Sequence, residues 1–90
     1  MTITTLKNLY NEYLRKEEIS DAADEAWEND YDNEELERAF DEAYRDQAEA
    51  MDRVIDGIVE ITSGRIDKRT AHTMLLKGRD ALTSLLSMTA

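Results

Sequence analysis

Side chains that commonly carry out catalysis are scarce in this sequence, which has one histidine and no cysteine. His72 has no second histidine at metal-ligand spacing and no glutamate three residues before it. A nucleophilic triad needs a base, and no serine or threonine lies in a nucleophile-elbow context. The sequence therefore predicts a protein that is not an enzyme, with no catalytic residue, no cofactor and no metal site.

The segment 30–41 resembles the start of a calcium-binding loop. Asp30, Asp32 and Glu34 supply oxygen atoms at its first, third and fifth positions. The sixth position is Glu35 where the turn needs glycine, and the twelfth is Asp41 where a bidentate glutamate belongs. The segment is therefore interpreted as a solvated turn between helices, followed by a helix N-cap.

Acidic residues are the most distinctive chemical feature of the chain. There are 21 of them against 11 basic residues, which gives a net charge of −10. Residues 17–52 hold most of the acids, with only Arg38 and Arg45 to oppose them. The last third is locally basic, but phosphate contacts require a clustered basic face. Direct nucleic-acid binding is therefore not expected.

A row of carboxylates follows one flank of the helix predicted over residues 33–62. At 100° per residue, one side of its apolar stripe carries Glu35, Glu42, Asp46 and Glu49. We call these four residues the acidic row and predict that it binds a basic protein surface. Trp27 and Tyr31, which lie among further acids, are the predicted anchors if they are exposed. Burial is the favoured alternative, in which they only pin residues 20–31 onto the rest of the molecule.

Carboxylates arranged along a helix can imitate the phosphates of nucleic acid. Small acidic helical proteins of phages and mobile elements block restriction or CRISPR enzymes in this way, and the chain is similar to them in size and charge only. Two alternatives stay open. The charge can simply keep the protein soluble, or two copies can close a larger bundle as a homodimer. Apolar residues beside the stripe, Ala48, Ile55 and Val59, favour the dimer.

The elements that position these residues are predicted to be helices, since the chain has no proline and three glycines. Asp32, with Glu35 three residues later, is the predicted cap of helix 33–62. Three acid-to-base pairs at four-residue spacing support this helix: Glu34–Arg38, Asp41–Arg45 and Glu49–Arg53. Tyr10, Tyr13, Phe40 and Tyr44 fall on apolar stripes and are predicted core residues.

Gly64 is predicted to end helix 33–62 in the left-handed conformation, and Asp67 to cap a helix over 68–88. A connection this short makes the two an antiparallel hairpin. Residues 1–31 are predicted to form one or two helices packed across it, with a break or kink near 17–21. The expected fold is thus a single all-α domain over 1–90. No apolar run approaches the roughly 20 residues of a membrane span, and the N-terminus lacks a signal-peptide core, so the expected location is the cytoplasm.

Overall fold

The structure is a computed structural model that describes residues 1–77 and 79–87. Its helices are α1 (Ile3–Glu28), α2 (Glu34–Ile61), α3 (Lys68–Lys77) and α4 (Arg79–Ser87). The described residues contain no strand, so the predicted all-α helical bundle is confirmed. Positions 78 and 88 of the predicted helix 68–88 lie outside the described residues.

Helices α1 and α2 form a long antiparallel hairpin. The N-terminal ammonium of Met1 lies 3.1 Å from Oε1 of Glu60, near the C-terminal end of α2. At the other end of the hairpin, the rings of Trp27 and Phe40 are stacked with centroids 5.7 Å apart. The molecule accordingly measures 47 × 21 × 21 Å. Helix α1 therefore runs along α2, where the sequence had predicted it to cross the hairpin.

The predicted break near residues 17–21 is wrong, because α1 is continuous from Ile3 to Glu28. Ser20 lies in the middle of this helix and is 3% exposed. A polar residue thus takes the buried position of this segment, so its weak apolar pattern does not mark an interruption of the helix.

The N-terminus of α2 is capped one residue later than predicted. Oδ1 of Asn33 accepts hydrogen bonds from the backbone N–H groups of Glu35, at 3.0 Å, and Leu36, at 3.3 Å. Asn33 has the extended backbone of an N-cap, so the prediction of Asp32 as the cap is wrong. The cap supplies an acceptor to two N–H groups that have no partner inside the helix.

The C-terminus of α2 has the hydrogen bonds of a Schellman motif. The N–H of Gly64 donates to the carbonyl of Val59 at 2.9 Å, and that of Ser63 donates to Glu60 at 3.1 Å. Gly64 is left-handed, as predicted, with φ of 81°, but Ser63 before it also has a positive φ, of 53°. The predicted cap of the next helix is confirmed, since Asp67 Oδ1 accepts from the Thr70 N–H at 2.8 Å.

The core contains residues of α1, α2, α3 and α4. Helix α3 packs against α2, whereas α4 packs against α1. Gly57 of α2 allows a close approach to α1, because a Cβ atom there would lie 2.8 Å from Cδ1 of Leu6. The buried cluster consists of Leu6, Tyr13, Ala50, Val54, Ile55, Ile58, Ala71, Leu75, Leu82 and Leu86. Within the described residues, no helix is both long enough and apolar enough to span a membrane.

Candidate protein-docking surfaces

Three members of the acidic row stand on the exposed surface of α2. Glu35, Glu42 and Glu49 are all exposed and follow one another at seven-residue intervals. This spacing puts successive Cα atoms about 10.5 Å apart along the helix, with a drift of only about 20° in direction. In the described part of the chain none of the three makes an ion pair. They form one line of unneutralised charge.

Asp46, the fourth member, differs from the others. It is half-buried at the seam between α1 and α2, where its Oδ2 lies 3.9 Å from Nζ of Lys16. The same ammonium lies 3.9 Å from Oε1 of Glu12 on α1. Lys16 therefore offsets part of the Asp46 charge, which makes Asp46 a weaker candidate for contact with a partner.

Only one of the three predicted ion pairs along α2 forms. Glu34 and Arg38 are paired, with Oε2 and Nη2 3.9 Å apart. Among the described residues, neither Asp41 with Arg45 nor Glu49 with Arg53 comes within ion-pairing distance. Exposed pairs of this kind add little to stability, so their side chains remain free to rotate into solvent. Arg53 therefore does not neutralise Glu49, which keeps its negative charge as a member of the acidic row.

Bases of the C-terminal third pair with acids outside the acidic row. Nζ of Lys68 lies 3.6 Å from Oδ1 of Asp56, and Arg79 pairs with Glu17 of α1. The acidic row is thus not neutralised by α3 or α4 in the described residues. This separation matters because pairing with the basic third would have neutralised the acidic row.

Glu17 lies at the centre of a polar contact between α1 and α4. Its Oε2 accepts hydrogen bonds from the Tyr13 hydroxyl, at 3.1 Å, and from the Arg79 guanidinium. The hydrogen bond from Arg79 is the main reason why the pKa of Glu17 lies below its ordinary value. Burial, together with the neighbouring carboxylate, raises the pKa of Tyr13. The arrangement holds two helices together.

Four aromatic rings make a second feature at the end of the hairpin where α1 joins α2. Trp27 packs edge-on against Tyr31, with centroids 5.2 Å apart, and lies almost parallel to Phe40. Phe40 in turn contacts Tyr44, at 6.1 Å. Trp27 is half-buried, whereas Tyr31 is 65% exposed. Trp27 therefore holds the neighbouring rings in place, and Tyr31 is exposed and available to a partner.

Tyr44 is not a core residue, because it is 60% exposed. The prediction that it is buried is wrong for a tertiary reason: α4 packs against α1 and leaves this part of α2 open. About the axis of α2, Phe40 and Tyr44 lie roughly 120° or more from the acidic row. The acidic row and the aromatic rings are therefore two separate surfaces. Tyr44 is thus available to a partner, although the helical periodicity of the sequence assigns it to the core.

A further concave surface lies between α2 and α3. This open groove of about 460 Å³ is lined by Asp52, Ile55, Asp56, Lys68, Arg69 and His72. Its acidic and basic side chains face one another, and Asp56 and Lys68 already form an ion pair. The described residues contain no group of histidine, aspartate and glutamate arranged to hold a metal ion.

Comparisons of the chain with protein families, with curated proteins and with solved structures give no match. The function proposed for the chain follows from the geometry of these surfaces.

Proposed function

We propose that this protein is a non-enzymatic interaction module whose acidic row binds a basic surface of another protein. The observation that carries the proposal is the line of Glu35, Glu42 and Glu49. All three side chains are exposed and have no ionic partner in the described residues. They stand on a 28-residue helix, a support that keeps their spacing fixed.

The cost of keeping these charges favours a role in binding. Like charges on one helix repel one another and destabilise the compact state. A partner with matching lysine and arginine residues would remove this repulsion and accelerate encounter. The finer version of the proposal is that the acidic row imitates nucleic-acid phosphates and competes for a protein that normally binds DNA or RNA.

Affinity capture with matched variants of the protein tests the proposal. Three forms of the protein serve as baits: the wild type, an acidic-row variant and a control variant. The acidic-row variant carries Glu35→Gln, Glu42→Gln and Glu49→Gln, which remove three charges without changing side-chain size. The control carries Glu18→Gln, Asp21→Asn and Glu25→Gln, three exposed acids of α1. Proteins captured from the native cell lysate are quantified by mass spectrometry at low and high salt.

We expect the wild type and the control to capture the same basic proteins, and the acidic-row variant to lose them. Binding should weaken markedly from about 50 to about 500 mM salt, as the screening length shrinks. Release of the captured protein by added DNA would support the imitation of phosphates. Equal capture by both variants, or an interaction indifferent to salt, would contradict the proposal.

A homodimer is the second candidate function, and the exposure of Tyr44 and Ala48 favours it. Ile55, which the sequence had offered as a further residue for the dimer contact, supports it less. It is only 7% exposed and belongs to the chain's own core. Light scattering at micromolar concentration separates the candidates, because a strict monomer rules out the dimer and leaves the acidic row untouched.

A further inference from the structure

One flank of α2 is left uncovered because the C-terminal helices diverge from it. Helix α3 packs on α2, but α4 packs on α1. Beyond α3, the flank exposes Tyr44 and Ala48 and leaves Phe40 and Met51 half-buried. We call these four residues, together with Tyr31, the aromatic flank. Tyr31 belongs to it because its ring contacts Trp27, which in turn contacts Phe40.

The aromatic flank contains a recess with the geometry of a helix-packing site. Tyr44, Gln47, Ala48 and Met51 line a shallow cavity of about 70 Å³. They occupy positions i, i+3, i+4 and i+7 of one helix. Four residues at this spacing form the hole that receives one side chain of a neighbouring helix. The shape of the surface therefore fits an apolar side chain presented by an α-helix.

Charged residues near the recess define the charge of its partner, since the acids Glu37 and Asp41 outnumber the one base beside them, Arg45, which directly follows Tyr44. Glu37 precedes Tyr44 by seven residues and Asp41 precedes Ala48 by seven, so each acid lies on nearly the same line as its apolar neighbour. Both are exposed, and neither makes an ion pair within the described residues. An arginine guanidinium stacks on an aromatic face and pairs with a carboxylate through its edge.

A second copy of the chain fits this surface poorly. In a two-fold symmetric dimer the same patch faces itself, so two surfaces of the same net negative charge are brought together. Each chain carries a net charge of −10, which adds a general repulsion. Charge complementarity thus favours a basic partner over self-association.

We propose that the aromatic flank binds an arginine-bearing amphipathic α-helix of another protein. One apolar side chain of this helix enters the recess, and an arginine one turn away lies over Tyr44 beside Asp41. The flank from Phe40 to Met51 is about 16 Å long, which matches about eleven residues of a helix. This inference rests on the proposed function, because both require a partner with basic residues. The two surfaces differ, however, since the aromatic flank and the acidic row lie on opposite flanks of α2.

Selection from a peptide library provides the probe. A phage-displayed library of randomised helical peptides of about 15 residues is selected against the full chain. We expect enriched peptides to combine apolar residues at i, i+3 or i+4 and i+7 with arginine, and to carry net positive charge. Their binding is followed by the fluorescence of Trp27, the only tryptophan of the chain, which contacts Tyr31 and Phe40.

Matched variants locate the binding surface. Ala48→Glu places a charged side chain in the recess, and Ala22→Glu makes the same change at an exposed position of α1. We expect Ala48→Glu and Tyr44→Ala to weaken binding by about tenfold or more, as loss of a central interface contact does. Ala22→Glu should bind like the wild type. Circular dichroism confirms that each variant is folded.

The acidic-row variant separates this inference from the proposed function. Peptide binding that survives Glu35→Gln, Glu42→Gln and Glu49→Gln but is lost in Ala48→Glu supports the aromatic flank whatever happens to the acidic row. Binding lost only in the acidic-row variant overturns the inference and leaves the proposed function standing. Failure to enrich any peptide, enrichment of acidic peptides, or a dimer abolished by Ala48→Glu in sedimentation also overturns it.

Discussion

Arg79 of α4 donates a hydrogen bond to Glu17 of α1, joining residues that are 62 positions apart in the chain. The same guanidinium donates through Nε to the Leu75 carbonyl at 3.0 Å and lies 5.9 Å from the centre of the Tyr13 ring. One arginine thus bridges the end of α3, the start of α4 and the face of α1. This contact helps direct α4 towards α1 and leaves the aromatic flank open.

Replacement of Glu17 by glutamine should loosen the contact between α1 and α4. Hydrogen bonds to charged groups contribute more than neutral ones, but partial exposure of this pair reduces the effect. We expect a loss of about 1 kcal/mol in the free energy of unfolding. Urea denaturation measures it, with Glu18→Gln, a neighbouring exposed change, as the control. Equal midpoints for the two variants would show that the bridge does not stabilise the fold.

The stability contributed by Glu17 should depend on pH. Its pKa is lowered in the folded protein, mainly by the hydrogen bond from Arg79. The stabilisation is therefore complete above the unfolded pKa of about 4.3 and is lost as the pH falls through the lower folded value. Denaturation of wild type and Glu17→Gln from pH 7 to pH 3 measures this. We expect the difference between them to shrink below about pH 4, and a constant difference would contradict the assignment.

Glycine at position 63 should make the folded protein more stable than the native serine does. Its φ of 53° is a left-handed conformation that costs a non-glycine residue about 1 kcal/mol. We expect Ser63→Gly to raise the free energy of unfolding by about 0.5 kcal/mol, after the larger entropy of glycine in the unfolded chain is deducted. Ser84→Gly, inside α4, is the matched control and should destabilise. Thermal unfolding compares the two, and the same sign for both would refute the strain at Ser63.

Trp27 carries a buried Nε1–H that has no hydrogen-bond partner among the described residues. Phenylalanine keeps a ring against Phe40 and removes this unpaired donor, whose burial costs about 1–3 kcal/mol. We expect Trp27→Phe to change stability by less than about 1 kcal/mol, and Trp27→Ala to cost about 3 kcal/mol or more. Unfolding followed by circular dichroism distinguishes them. A large loss in Trp27→Phe would indicate that the indole makes an unrecognised contact.

Much of the secondary structure could be predicted from the sequence because its signals are local. The apolar stripe containing Val54 and Ile58, the left-handed Gly64 and the Asp67 cap each depend on residues within a few positions of one another. The exposure of Glu35, Glu42 and Glu49 follows from the same helical periodicity. These features agree with the structure because one helix turn is enough to specify them.

Pairing between distant parts of the chain could not be predicted in this way. Periodicity marks Tyr44 as apolar-facing, but its exposure depends on the direction taken by α4. Likewise, the ammonium of Lys16 offsets the negative charge of Asp46 only because α1 lies antiparallel along α2. The sequence by itself determined most of the helical segments and the sign of their charge. The tertiary structure decided which faces stay open, since that depends on how the helices share a small core.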